Sequence, residues 1–209
     1  MKSFDRDLVG YGQSSPNPRW PKKSKLAINF IENVEEGSEY SPLLGDKKSE
    51  SGLSEVPGGR HKENQRDLGI ESIYEYGSRA GFWRLDKLFK EKKIPVTIFG
   101  VGLALKQTPE VCEAIKKGNY EIAAHGYRWI DYQNIKKSVE KKHMKQAINV
   151  IKEIFGSRPL GWYTGRCSPN TRDLVFDDGG FLYDSDSYSD DLPYWVHSCL
   201  LYTSDAADE

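Results

Sequence analysis

The chain has 209 residues, enough for one domain with a buried core, and its charges nearly cancel at a formal net of -1. Lys and Arg are scattered rather than blocked, which argues against a nucleic-acid face. No apolar run approaches the roughly 20 residues of a membrane span. Residues 1–10 carry Lys2, Asp5, Arg6 and Asp7 with no apolar stretch, unlike a secretory signal. Cys112, Cys167 and Cys199 are odd in number and lack C-x-x-C spacing, so a reducing, cytoplasmic setting fits better than a disulfide framework.

In chain order, residues 1–24 read as an N-terminal extension. Residues 25–34 read as a strand buried mostly over Leu26 to Ile31. An aperiodic polar stretch over 41–69, rich in Gly and Pro, reads as a long excursion loop of the functional kind. Ser72 and Glu75 have capping-box spacing, predicting a helix over 78–92 with Phe82, Leu85, Leu88 and Phe89 inward. Pro95 opens a strand over 96–101. Thr108 and Pro109 read as N-cap and first helical residue, with Gly118 closing that helix. A short strand over 120–124 delivers His125. The helix over 135–155 has the clearest 3.6 period, through Val139, Met144, Ala147, Ile148, Ile151 and Phe155. A strand over 160–164, a helix over 171–178 and the start of a fifth strand over 181–184 follow. Residues 199–209 carry no readable signal and are expected to be an unrelated tail. Strands alternating with helices predict an α/β fold with a parallel sheet or barrel, its domain spanning 25–196.

Unusual polar residues fall just after successive strands: Glu35 and Glu36, His125, Arg166, then Asp184 and Asp186. In a parallel barrel these positions meet at the C-terminal mouth, where catalytic groups converge. Adjacent strand residues point to opposite faces, so only one of Glu35 and Glu36 faces inward unless the strand has already turned. A carboxylate base weighs evenly here against a solvated acidic turn. A lone histidine is more often structural, but His125 stands between a strand and Gly126. His61 and His143 read as surface residues. Arg166 suits a carbonyl or oxyanion, or a buried acid. Beside it, Cys167 is expected to have a somewhat lowered pKa.

The motifs are long: residues 7–12 (DLVGYG), 34–37 (VEEG), 71–81 (ESIYEYGSRAG), 125–132 (HGYRWIDY), 158–166 (RPLGWYTGR), 169–171 (PNT) and 183–195, ending in DDLPYW. Over residues 6–195 they resemble the polysaccharide-deacetylase (NodB-like) superfamily, and within it the metal-independent allantoinases of the PuuE type. The resemblance implies a distorted (β/α) barrel of about seven strands, about five of them present here. It also implies that the family continues for about a third of its length beyond Trp195, leaving an open sheet edge prone to aggregation and a fragment that need not be active. Metal-dependent members carry paired aspartates and a His-x-x-x-His motif. Glu35 and Glu36 stand at the paired acids, His125 at the first histidine and Trp129 at the second. Indole has no lone pair for a metal, so the resemblance implies hydrolysis without a metal or other cofactor.

The implied reaction opens the hydantoin ring of allantoin, a cyclic amide, to allantoate in purine catabolism. Glu35 or Glu36 is expected to act as base, with His125 and Arg166 stabilising the oxyanion or donating a proton. Tyr76, Arg79, Trp129, Trp162 and Asp184 are expected to contact the substrate. Rival expectations are a chitin-like polysaccharide deacetylase and a non-catalytic barrel that kept the pocket. The expected partners are a small polar substrate and, at most, further copies of the chain in a homo-oligomer.

Overall fold

A computed structural model describes residues 7–52, 55 and 58–196. Contacts divide the chain into two compact units, residues 29–186 and a second unit made from the segments on either side. Residues 187–196, read above as barrel, group with the N-terminal segment. Within that smaller unit, the Tyr11 backbone N–H donates to Asp190 at 3.1 Å and its hydroxyl to the Pro193 carbonyl at 2.8 Å. The expected tail over 199–209 lies outside the described residues.

The larger unit is built on a five-stranded parallel sheet in sequential order: β1 (Phe30–Val34), β2 (Val96–Gly100), β3 (Glu121–Ala124), β4 (Gly161–Trp162) and β5 (Tyr183–Asp184). This is the α/β architecture of a (β/α) barrel, each strand reached through helical segments. Every residue of β2 is buried, as an inner parallel strand covered on both faces requires. At Gly100, the last residue of β2, an added Cβ would lie 2.8 Å from Leu105 and 2.9 Å from Ile122.

The helices are α1 (Leu68–Tyr76), α2 (Phe82–Lys92), α3 (Gly102–Gln107), α4 (Pro109–Gly118), α5 (Lys137–Phe155) and α6 (Thr171–Asp178). Val34, Ile98, Ala124 and Trp162 share one core with Phe82, Phe89, Leu105, Ile115, Met144, Ile151 and Leu174 from these helices. The sheet face carrying those four strand residues is therefore the helix-covered face, and each intervening strand residue points the other way. No helix among the described residues is long and apolar enough to cross a membrane.

Several expectations need correction. β1 starts at Phe30, and Leu26, Ile28 and Ile31 are exposed, while Glu32 and Val34 are buried. The helical run before β2 starts at Leu68, not Ser78. Asp67 caps it by accepting from the Gly69 and Ile70 backbone, whereas Ser72 donates to the Gly69 carbonyl inside the helix. A π-helical turn, Gly77–Gly81, joins α1 to α2, so the run carries one extra residue at mid-course. Leu85 and Leu88 are exposed, and Asp86 is buried on that helix instead. Helix α3 carries too short a pattern to announce itself. Its presence turns Thr108 from a side-chain cap into a donor to the Ala104 carbonyl. Asn119, in the left-handed conformation, is the residue that closes α4.

Candidate active site

The residue after each helix-facing strand position lies on the opposite face: Glu35 after Val34, Phe99 after Ile98, His125 after Ala124 and Tyr163 after Trp162. Three of these form a stack. The His125 ring lies 4.8 Å from that of Tyr163 at 31°, and Tyr163 lies 4.8 Å from Phe99. His125 is 2% exposed. Its Nδ1 is 3.0 Å from the Tyr163 carbonyl, and its Nε2 is 3.1 Å from Glu35 Oε2.

A carbonyl oxygen only accepts, so Nδ1 carries a hydrogen. A neutral ring would then present a bare Nε2 to a carboxylate that is also only an acceptor. One further proton must therefore lie between Nε2 and Oε2, as imidazolium with carboxylate or as neutral imidazole with carboxylic acid. The buried His125 and the part-buried Glu35 thus form a pair sharing one proton.

Glu36 goes the other way. Its Oε2 accepts the Glu35 backbone N–H at 3.1 Å, and its Oε1 lies where an added Cβ on Gly77 would sit, 1.9 Å away. The glycine opening the π-helical turn leaves room for this carboxylate. Burial, ahead of repulsion from Glu35 and Glu39, raises the Glu36 carboxyl above its ordinary value. The strand ends at Val34 and Glu36 stands in the turn that follows, so the two neighbouring acids part company there, and Glu35 is the one brought to His125.

The turn after β1 is tied to the segment after β3. The buried Ser38 donates its hydroxyl to the Glu35 carbonyl, and its own carbonyl accepts from Trp129 N–H at 3.0 Å and Arg128 Nε at 2.9 Å. Arg128 also pairs with Asp46 at 2.6 Å. The Arg166 guanidinium lies over the Trp129 ring, 3.7 Å from its centroid, and donates to Glu50 Oε2 at 3.0 Å. Tyr74 meets Trp129 edge-on at 5.7 Å. Asp186 Oδ1 accepts the Thr164 and Gly165 N–H groups at 2.7 and 2.8 Å, fixing the turn from which Arg166 projects.

Glu35 meets His125, Arg166 meets Trp129 and Glu50, and Ser38 links the two groups through the Glu35 carbonyl and the Trp129 N–H, while Glu36 turns to Gly77. Tyr76 and Arg79 do not join them through any bond observed. Tyr76 is half exposed and accepts from Arg84 at 2.6 Å, and Arg79 reaches Glu75 at 3.4 Å on the helix surface. Trp162 is a core residue, 3% exposed, packed on Phe181 and donating its indole N–H to Thr164 at 2.8 Å. Asp184 is exposed and accepts the Asp186 N–H at 3.0 Å. Cys167 overturns the expectation of a lowered pKa: burial, then the nearby Asp186, pushes its thiol up to about 12. His143 is no surface residue, since it is partly buried and 2.9 Å from the Tyr132 hydroxyl. His61 pairs with Glu63 at the surface, as expected.

Sequence reasoning missed Tyr163, Ser38 and Glu50. The carbonyl role of Tyr163 needs only a backbone, and Glu50 sits in a segment without period, so neither leaves a signal.

A metal does not fit the residues present. Among the described residues no three His, Cys, Asp or Glu side chains group as a ligand set. Where the metal-dependent pattern has its second histidine, Trp129 offers no lone pair and lies under a guanidinium.

Residues 62–183 match the polysaccharide deacetylase family model. A Schizosaccharomyces pombe protein provisionally named a polysaccharide deacetylase is 40% identical over 98% of this chain and 67% of its own length. The crystal structure of PuuE allantoinase superposes with a TM-score of 0.91 at 52% identity, covering 94% of this chain and 65% of that one. That of a probable polysaccharide deacetylase from Pseudomonas aeruginosa PAO1 gives 0.90 at 52% identity, covering 92% and 64%. The chain thus spans about two thirds of the length of these relatives. It belongs to the polysaccharide deacetylase family, whose deacetylase and allantoinase members are hydrolases.

Proposed function

We propose that this polysaccharide-deacetylase family member hydrolyses the cyclic amide of allantoin to allantoate without a metal. The observation that carries the reading is the pair formed by the buried His125 and the part-buried Glu35, with its one shared proton. Ring opening must activate water, stabilise the oxyanion and protonate the leaving nitrogen. Glu35, as carboxylate, takes a proton from water as the oxygen attacks the ring carbonyl. Arg166 stabilises the charge that develops on the carbonyl oxygen. His125, as imidazolium, donates its Nε2 proton to the departing ring nitrogen as the C–N bond breaks. One proton enters the pair and one leaves, so the pair returns to its starting state.

The allantoinase neighbour at 52% identity supports this choice of substrate. A second reading, polysaccharide N-deacetylation, is favoured by the names of the other two relatives. The test is incubation of the purified protein with allantoin, with and without chelator, following allantoate. Turnover that persists in chelator is expected. Acetate release from acetylated chitooligosaccharides without allantoate formation would favour the second reading.

A further inference from the structure

The geometry points to Glu50 as the positioning residue for Arg166, a role that rests on the ring-opening reading above. Glu50 is 5% exposed although it lies in the polar segment after β1, and its two oxygens do different work. Oε1 accepts the Ser51 and Gly52 N–H groups, each at 2.8 Å, which folds the segment around the carboxylate. Oε2 is 3.0 Å from Arg166 Nη1, across 116 residues of sequence. The Glu50 backbone N–H is itself held by the Tyr40 carbonyl at 2.8 Å.

The guanidinium is thereby fixed on three sides. Trp129 lies beneath it at 3.7 Å and Glu50 holds Nη1. Gly52 borders Nη2, which would lie 2.8 Å from an added Cβ. The Tyr74 hydroxyl, 3.4 Å from the Gly52 carbonyl, ties the same segment back to α1. An arginine has many rotamers of similar energy, and an oxyanion donor acts only when its N–H groups already point at the developing charge. Glu50 removes that freedom in advance, and Gly52 is the residue that lets the guanidinium come close.

The test separates the two oxygens of Glu50. Glu50→Gln keeps an acceptor for Ser51 and Gly52 but turns the face toward Arg166 into an amide without charge. It is expected to keep the melting temperature and resistance to trypsin at Lys47 and Lys48. Its kcat on allantoin should fall about tenfold to a hundredfold, with KM within about threefold. In an Arg166→Lys background, Glu50→Gln should add no further loss. Glu50→Ala should additionally loosen the segment and speed trypsin cleavage at Lys47 and Lys48. A Glu50→Gln variant with unchanged kcat, or losses that multiply with those of Arg166→Lys, would overturn the proposal. One readout needs no activity: the Trp129 emission, isolated by subtracting the Trp129→Phe spectrum. Glu50→Gln should shift it as Arg166→Ala does, and an unshifted emission would refute the positioning role even if allantoin is not the substrate. A wild-type protein that leaves allantoin intact but shows the shared emission change would sink the substrate reading alone.

Discussion

Replacing Glu35 by glutamine tests the proton arithmetic of the central pair. In the wild type, His125 donates from Nδ1 to Tyr163 and shares the Nε2 proton with Glu35 at 3.1 Å. A glutamine amide can donate N–H to a neutral Nε2, so the bond survives with no charge in the pair. Stability should stay within about 1 kcal/mol, which at about 2–4 °C per kcal/mol for a chain of this size is a small shift in melting temperature. Glu35→Ala instead strands a ring nitrogen at a site that is 2% exposed, costing about 1–3 kcal/mol. Both variants remove the base and should lower allantoin turnover by about 10²–10⁴. Thermal denaturation, allantoate formation and 15N NMR of the histidine ring read the three expectations separately. Glu35→Gln activity within tenfold of wild type, or a His125 Nδ1 without hydrogen, would refute the reasoning.

Arg166→Lys should lose the flat contact on Trp129 and the planar fork, lowering turnover by about 10²–10³ with the fold retained, as steady-state kinetics and circular dichroism can check. Glu32 is buried on β1, and burial, then Glu36 and Asp86, raises its carboxyl from 4.5 to about 8. The folded state therefore holds this proton more tightly than the unfolded one. The resulting stability is complete below pH 4.5 and is lost as pH rises through about 8. Glu32→Gln should match wild type in denaturant titrations near pH 5 and exceed it at pH 9, by on the order of a few kcal/mol. Equal stabilities at pH 9 would contradict that account. Cys167, with its thiol near 12, should react with iodoacetamide at pH 8 far more slowly than a free thiol, as mass spectrometry would show.

The sheet was legible where its signals were local. Helix α5 shows its period over 19 residues, and each glycine or asparagine stop lies beside the chain it ends. Strand alternation gave the expectation that Glu35 and Glu36 diverge unless the strand has already turned, and the strand ends at Val34, before both. It did not say which meets His125, because that depends on a partner 90 residues away. Glu50 was unreadable for the same reason, since its burial comes from Arg166 and from backbone N–H groups of its own turn. Trp162 misled because an aromatic at a strand end fits either face equally well. One residue of phase places it among the helices and gives its neighbour Tyr163 to the site. The π-helical turn was hidden because its composition, with Gly77 and Gly81 flanking Ser78 and Arg79, reads as the start of a helix rather than its middle.

Trp129 is better understood through what lies on it than through the ligand it replaces. Its ring is the platform on which Arg166 rests at 3.7 Å, and Glu50 pins that guanidinium from the side. Restoring a histidine there by Trp129→His would supply a lone pair but leave a fixed positive charge above the new ligand. A divalent ion about 5 Å from a guanidinium meets repulsion on the order of several kcal/mol at an effective dielectric of about 20. Trp129→His alone is therefore expected to show no tight zinc binding by isothermal titration calorimetry. Adding Arg166→Ala removes the opposing charge and should strengthen binding by about tenfold or more. Submicromolar zinc affinity in the single variant would mean that the arginine does not oppose the metal. The change from a metal site to an arginine site would then be the loss of one ligand, not an exchange of one cation for another.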